Sequence, residues 1–122
     1  MSTPSPTPNT SATPTAAGGP PVRSQFASDP EMRELVEMFV EELPQRMQSL
    51  TEALKAQQWD VVHRISHQLK GASAGYGFPT VGTAAAKVED VVKAGPITTQ
   101  QSLQQLVESV NQLTGLCKRV IV

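Results

Sequence analysis

The chain has 122 residues, a formal net charge of −1, and a composition that is 39% hydrophobic but only 4% aromatic. This length fits one domain, the balanced charge argues against nucleic-acid binding, and no apolar run approaches the roughly 18 residues of a membrane span. The single cysteine, Cys117, excludes a disulfide framework and a cysteine zinc cluster, and it favours a reducing, cytoplasmic location.

The first part of the chain differs in composition from the rest. Residues 1–27 are mostly Ser, Thr, Pro, Ala and Gly, and six of the ten prolines fall within the first 21 residues. Such a segment buries too little apolar surface to offset the entropy of ordering it, about 1 to 2 kcal/mol per residue. We therefore predict a disordered tail over residues 1–27 and a single folded domain over residues 28–122.

A long amphipathic helix follows the tail. Ser28 or Asp29 is suited to cap it, and Pro30 fits its first turn. The apolar residues recur at three- and four-residue spacing and are Met32, Leu35, Val36, Phe39, Leu43, Met47, Leu50 and Leu54. Pro44 predicts a bend or break just before it, but the apolar stripe continues in register. We predict one helix that is kinked near this proline.

Three further helices are predicted, and no segment alternates long enough to indicate a strand. The second begins near residues 58–60 and runs to Tyr76, the third runs from Pro79 to the Gly-Pro at residues 95–96, and Thr98 is suited to cap the fourth. Their predicted inward positions are Val62, Ile65, Leu69, Ala72, Tyr76, Val81, Ala85, Val88, Val92, Leu103, Leu106, Val107, Val110, Leu113, Cys117 and Val120. Four amphipathic helices with short connections predict an all-α, antiparallel up-down four-helix bundle.

The polar face of the second helix carries the chemistry. His67 falls about 180° from the centre of the apolar arc and is therefore expected to face solvent. His63, Lys70, Gly71 and Ala74 share its face. A neutral imidazole is a good nucleophile near neutral pH, and a lysine ammonium one turn away can steady an arriving phosphoryl group. The glycine leaves the ring open to a partner.

Other interpretations of these residues are weaker. His63 and His67 are spaced for a metal, but no carboxylate lies between them and no third ligand is apparent, so we expect no metal. His63 is expected to be an ordinary exposed histidine. If it borders the site, a partner contact and a chemical role are equally open. The glycines at 71, 75 and 77 do not form a phosphate-binding loop, because no Gly-Lys-Ser/Thr sequence follows them. Cys117 fits a buried structural thiol.

The run from His63 to Gly77 resembles the signature of histidine-containing phosphotransfer (HPt) domains. That pattern is His-x-Leu-Lys-Gly followed by small residues and a glycine, and here it stands as His67-Gln68-Leu69-Lys70-Gly71, with Gly77 ten positions after the histidine. Val88-Glu89 is similar to the family's third-helix motif. The resemblance covers about residues 28–120.

The resemblance implies a phosphorelay intermediate, a phosphoryl carrier more than a catalyst. His67 would accept a phosphoryl group from the aspartate of one receiver domain and pass it to another, with Lys70 steadying the phosphohistidine and Gly71 letting the receiver dock. The implied partners are response-regulator receivers, a hybrid histidine kinase, or both. The implied Mg²⁺ belongs to the receiver, so we expect no cofactor on this chain. Nothing in the sequence resembles a kinase nucleotide-binding segment, so we expect no ATP-dependent kinase activity. We also expect a monomer.

The resemblance also implies a docking surface, for which the candidate residues are His63, Arg64, Gln68, Gly71, Ala74, Glu89 and Lys93. Family members often place Gln or Arg on the third helix facing the histidine. Here Glu89 and Lys93 are the candidates, so we expect no glutamine-like hydrogen bond to His67 and expect Lys93 to supply positive charge instead. The alternative function is a non-catalytic helical interaction module with the same fold.

Overall fold

The computed structural model describes residues 20–121, and the helices in this range follow the predicted order. The elements are β1 (Val22–Arg23), α1 (Pro30–Lys55), α2 (Trp59–Gly75), α3 (Pro79–Lys93), α4 (Gln100–Lys118) and β2 (Val120–Ile121). Helix α2 packs against α1 and α3, and α4 packs against α3 and α1. The predicted all-α bundle is confirmed. None of these helices combines the length and apolarity needed to cross a bilayer.

The helix starts follow from capping chemistry. Asp29 caps α1 by accepting a hydrogen bond from the backbone N–H of Glu31 at 3.0 Å, and Pro30 occupies the first turn as predicted. The prediction of Thr98 as the α4 cap is wrong, because Thr99 caps it. The Thr99 side chain accepts from the N–H of Ser102, whose hydroxyl in turn accepts from the N–H of Thr99, a reciprocal capping box.

Helix α1 is one element that continues across Pro44 without a break. The proline is exposed, and the buried stripe passes it in register on the other side of the helix. A bend at this point stays a prediction. The stripe is narrower than expected, because Leu35 is 44% exposed and lies outside the core.

Aliphatic side chains from all four helices form the core, with Phe39 and Phe78 stacked at 5.6 Å between ring centroids. In α2 the buried positions are Val62, Ser66, Leu69 and Ser73, while the predicted Ile65 and Ala72 are half-buried. Ser66 is tolerated inside because its hydroxyl donates to the carbonyl of His63 at 3.0 Å. The inward face of α2 is therefore rotated slightly from the predicted one.

The predicted tail extends too far, because residues 20–27 pack against the bundle. Val22 pairs with Val120 in a short parallel ladder that the sequence pattern does not indicate. The buried hydroxyl of Ser24 donates to the carbonyl of Tyr76 at 2.6 Å. Gly77 has a φ of 86°, and a Cβ there would lie 2.6 Å from Ser24 Oγ, so only glycine fits this approach. Residues 1–19 lie outside the described residues.

Candidate functional site

The polar face of α2 presents His67 to solvent, with 63% of its side chain exposed. This orientation follows from the helical period, because Val62, Ser66 and Leu69 are fully buried on the opposite side. The structure therefore places His67 where the sequence predicts it.

A buried carboxylate lies directly beneath this histidine. Glu89 on α3 has only 3% of its side chain exposed, and its Oε2 lies 2.6 Å from Nδ1 of His67. Its other oxygen, Oε1, accepts a hydrogen bond from Nζ of Lys70 at 2.9 Å. Nε2 of His63 lies 3.4 Å from Oε2. The four side chains form one cluster, which we call the Glu89 cluster.

The close packing of α2 and α3 explains why Glu89 reaches α2. A Cβ at Gly82 would lie 3.3 Å from the carbonyl oxygen of Lys70 and 3.7 Å from Cβ of Ser73, so the absence of a side chain lets the two helices approach. Glu89 follows Gly82 by seven residues and shares its helix face. The close contact at Gly82 therefore directs Glu89 toward the polar face of α2.

The electrostatics of the cluster fix its protonation state. The hydrogen bond from Lys70 and, to a smaller extent, that with His67 together lower the pKa of Glu89 from 4.5 to about 2, against the opposing effect of burial. The same carboxylate raises the pKa of Lys70. At neutral pH Glu89 is thus an anion that can only accept hydrogen bonds, and Lys70 is a cation.

This state assigns the tautomer of His67. Because Glu89 carries no proton, the proton in the 2.6 Å contact belongs to Nδ1 of His67, which donates to the carboxylate. In the neutral ring the lone pair therefore lies on Nε2. The neutral ring thus has one nucleophilic nitrogen to offer a partner.

Two expectations for α3 have different outcomes. Glu89 was expected on the docking surface and without a hydrogen bond to His67, and this is wrong, because Glu89 is buried and its carboxylate contacts the imidazole. Lys93 is exposed at the end of α3, and its expected role as a source of positive charge stays a prediction. Lys70 contributes a positive charge within the cluster.

The remaining predicted docking residues lie on the surface. Arg64, Gln68, Gly71 and Ala74 are exposed, and His63 is half-buried. No atom lies within 4 Å of a Cβ built on Gly71. A partner can therefore approach α2 closely beside His67.

Helix α1 exposes two apolar side chains that the sequence analysis did not identify as surface residues. Leu35 is 44% exposed and Met38 is 52% exposed. The Phe39 ring lies 5.0 Å from that of Tyr76, so this turn of α1 runs beside the C-terminal end of α2. The spacing of Leu35 matches the apolar stripe, so the sequence does not indicate that it is exposed. Met38 does not match the spacing of the stripe, and this mismatch could have identified it as a surface residue.

Neither metal chemistry nor thiol chemistry is supported in the described part of the chain. Within residues 20–121 no group of three His, Cys, Asp or Glu side chains could hold a metal ion. Cys117 is buried, and burial raises the pKa of its thiol to about 12. It therefore contributes no thiolate near neutral pH.

Comparison with known proteins identifies the family of the chain. Neither the comparison with curated proteins nor that with solved structures found a match. A family model described as the Hpt domain matches residues 34–120, which include nearly all of the four-helix bundle. The chain therefore belongs to the Hpt domain family, whose members carry out phosphotransfer in two-component signalling.

Proposed function

We propose that this chain is a phosphorelay intermediate, in which His67 accepts a phosphoryl group from the aspartate of one receiver domain and passes it to another. The observation that carries this proposal is the bond between Nδ1 of His67 and Oε2 of Glu89 at 2.6 Å, on a ring that is 63% exposed. The ring is held at one nitrogen and free at the other. This is the arrangement that repeated transfer at a single atom requires.

The transfer step conserves the proton of the imidazole. The lone pair of His67 Nε2 attacks the phosphorus of the aspartyl phosphate, the N–P bond forms, and the P–O bond breaks with its electron pair returning to the aspartate carboxylate. The ring becomes a phosphoimidazolium that keeps its Nδ1 proton on Glu89. In the reverse direction the ring leaves as neutral imidazole, so no proton has to enter or leave Nδ1 in either direction.

Lys70 and Glu89 have distinct roles in this step. Glu89 orients the ring and stabilises the positive charge that develops on it. Lys70 is 44% exposed, so its ammonium is within reach of an incoming phosphoryl group on the same face while it also neutralises the carboxylate. Phosphoryl transfer depends mainly on positioning and electrostatics, and these two groups supply both.

Receiver domains are the proposed partners, alone or within a hybrid kinase. We place their docking surface around His67, on the exposed or half-exposed residues His63, Arg64, Gln68, Gly71 and Ala74, with Leu35 and Met38 adding apolar area from α1. The chain is expected to act as a monomer in the cytoplasm. The Mg²⁺ that assists the reaction would belong to the receiver.

The Glu89 cluster favours this function over a non-catalytic interaction module. The Glu89 carboxylate is only 3% exposed and lies beneath two histidines and a lysine. Burying it costs desolvation free energy, and a surface that only binds a partner has no need of such a group. A scaffold with the same fold would tolerate an apolar residue at position 89.

A transfer assay with two receivers tests the relay. The chain is incubated with one phosphorylated receiver, separated from it, and then mixed with a second, unphosphorylated receiver and Mg²⁺. We expect label to move first to this chain and then to the second receiver, with no ATP present. Label that reaches the chain but no second receiver would limit the chain to a phosphoryl acceptor, and absence of label on the chain would contradict the proposal.

A further inference from the structure

Glu89 has a third neighbour that the transfer step does not use. Nε2 of His63 lies 3.4 Å from Oε2 of Glu89, the same oxygen that His67 binds. The two imidazole rings are almost parallel, with 12° between their planes and 6.1 Å between their centroids. The His63 side chain is 39% exposed, so it can exchange protons with bulk water. His63 lies at the edge of the Glu89 cluster, next to the proposed phosphoacceptor.

The contact of His63 with Glu89 is weaker than that of His67. A separation of 3.4 Å exceeds the usual N–H···O range, whereas 2.6 Å is a short, charge-assisted contact. Lys70 already supplies the positive charge that balances the carboxylate. In the resting site His63 is therefore not needed as a cation.

Phosphorylation changes the charge of the cluster. Before transfer Glu89 contributes −1, Lys70 contributes +1 and His67 is neutral. The transferred PO₃⁻ unit adds one negative charge, so the cluster becomes net negative around a carboxylate that is 3% exposed. One proton would restore neutrality. Among the described residues, His63 is the remaining side chain of the cluster that is able to take up a proton.

We infer that phosphorylation of His67 drives the uptake of one proton by His63, which then provides a second cation to the phosphorylated site. This inference rests on the proposed function. Phosphorylation adds one net negative charge to the neighbouring side chain, and we expect this charge to raise the midpoint of His63 protonation by about one pH unit.

The charged groups around His63 are few. Glu89 faces it from α3, and His67 and Lys70 share its face of α2. Asp60 precedes it by three residues on α2 and Lys93 ends α3, but no ion pair of residues 20–121 joins either side chain to His63. The added phosphoryl charge is thus the main change that His63 experiences.

Nuclear magnetic resonance of the His63 ring tests this coupling. The titration of its ring protons is recorded between about pH 6 and 9, before and after phosphorylation by a phosphorylated receiver or by phosphoramidate. We expect the midpoint to rise by about one pH unit in the phosphorylated protein. The matched control is His67→Gln treated in the same way, in which the midpoint stays unchanged.

The outcomes separate this inference from the proposed function. An unmoved His63 midpoint in protein that carries the phosphoryl group on His67 overturns proton uptake and leaves the relay intact. Failure of any donor to phosphorylate His67 overturns both.

A functional measurement gives a second, independent test. The equilibrium constant for transfer from one receiver to the chain is compared between the unaltered chain and His63→Gln at several pH values, so that the receiver's own pH dependence cancels. We expect the equilibrium constant of the unaltered chain, divided by that of His63→Gln, to rise by up to about tenfold as pH falls. A ratio that does not change with pH would overturn the inference, because a merely structural role of His63 would lower acceptance by the same factor at every pH.

Discussion

Oε2 of Glu89 lies 2.6 Å from Nδ1 of His67, so a carboxylate on α3 sets the orientation and the tautomer of an exposed histidine on α2. Two helices that touch closely at Gly82 thus form the reactive group together. The proposed carrier function rests on this pair.

Replacement of Glu89 by Gln tests the pair. Glutamine has the same shape but no charge, so it accepts a weaker hydrogen bond from Nδ1 and no longer neutralises Lys70. We expect phosphoryl transfer from a receiver to slow roughly 10- to 100-fold, which corresponds to one charge-assisted hydrogen bond. Rapid-quench kinetics measure the rate, and circular dichroism checks the fold. Unchanged kinetics would show that the carboxylate has no role in transfer.

Lys70→Ala tests the role of the ammonium. Its loss leaves both the phosphoryl group and Glu89 without their cation, so we expect slower transfer or a shorter lifetime of the phosphoprotein while the helical fold is kept. Lys87→Ala is the matched control, because Lys87 is an exposed lysine on α3 that faces the groove with α4. Equal transfer rates and lifetimes in the two variants would refute the role of Lys70.

The docking surface is tested by Gly71→Gln and Met38→Ser. The first places a side chain in open space beside His67, and the second removes exposed apolar area. Each should weaken receiver binding at least about fivefold, as residues at the centre of an interface do. Titration calorimetry measures the affinity. Ile121→Ser is the control, because Ile121 is an exposed apolar residue of β2. If Gly71→Gln and Met38→Ser bind the receiver as tightly as Ile121→Ser does, the receiver docks elsewhere.

Gly77→Ala tests the packing of residues 20–27. Its φ of 86° and the 2.6 Å approach of Ser24 Oγ leave no room for a Cβ, so we expect a loss of about 1 to 3 kcal/mol in the free energy of unfolding. Gly75→Ala is the control, because no atom lies within 4 Å of a Cβ at that position. Urea unfolding measures the stabilities of the two variants. Equal free energies of unfolding would argue that residues 20–27 do not pack as described.

The sequence predicted the helices and the exposed His67 because a period of 3.6 residues determines both. It could not reveal Glu89 as a buried partner, since spacing identifies the inward face of α3 but not the edge that lies against α2. Leu35 matched the apolar stripe and is nevertheless exposed, because the buried arc of α1 is narrower than its pattern. The segment at residues 20–27 escaped prediction because a two-residue strand has no periodicity and its order depends on the backbone of Gly77.

Site mapping of the phosphoryl group is the decisive experiment for His67 as the phosphoacceptor. The chain, His67→Gln and His63→Gln are each incubated with the same phosphorylated receiver, and the modified residue is identified by mass spectrometry and by its stability in acid and alkali. We expect an alkali-stable, acid-labile modification on His67 that is absent from His67→Gln and present in His63→Gln. A modification that persists in His67→Gln would contradict this assignment.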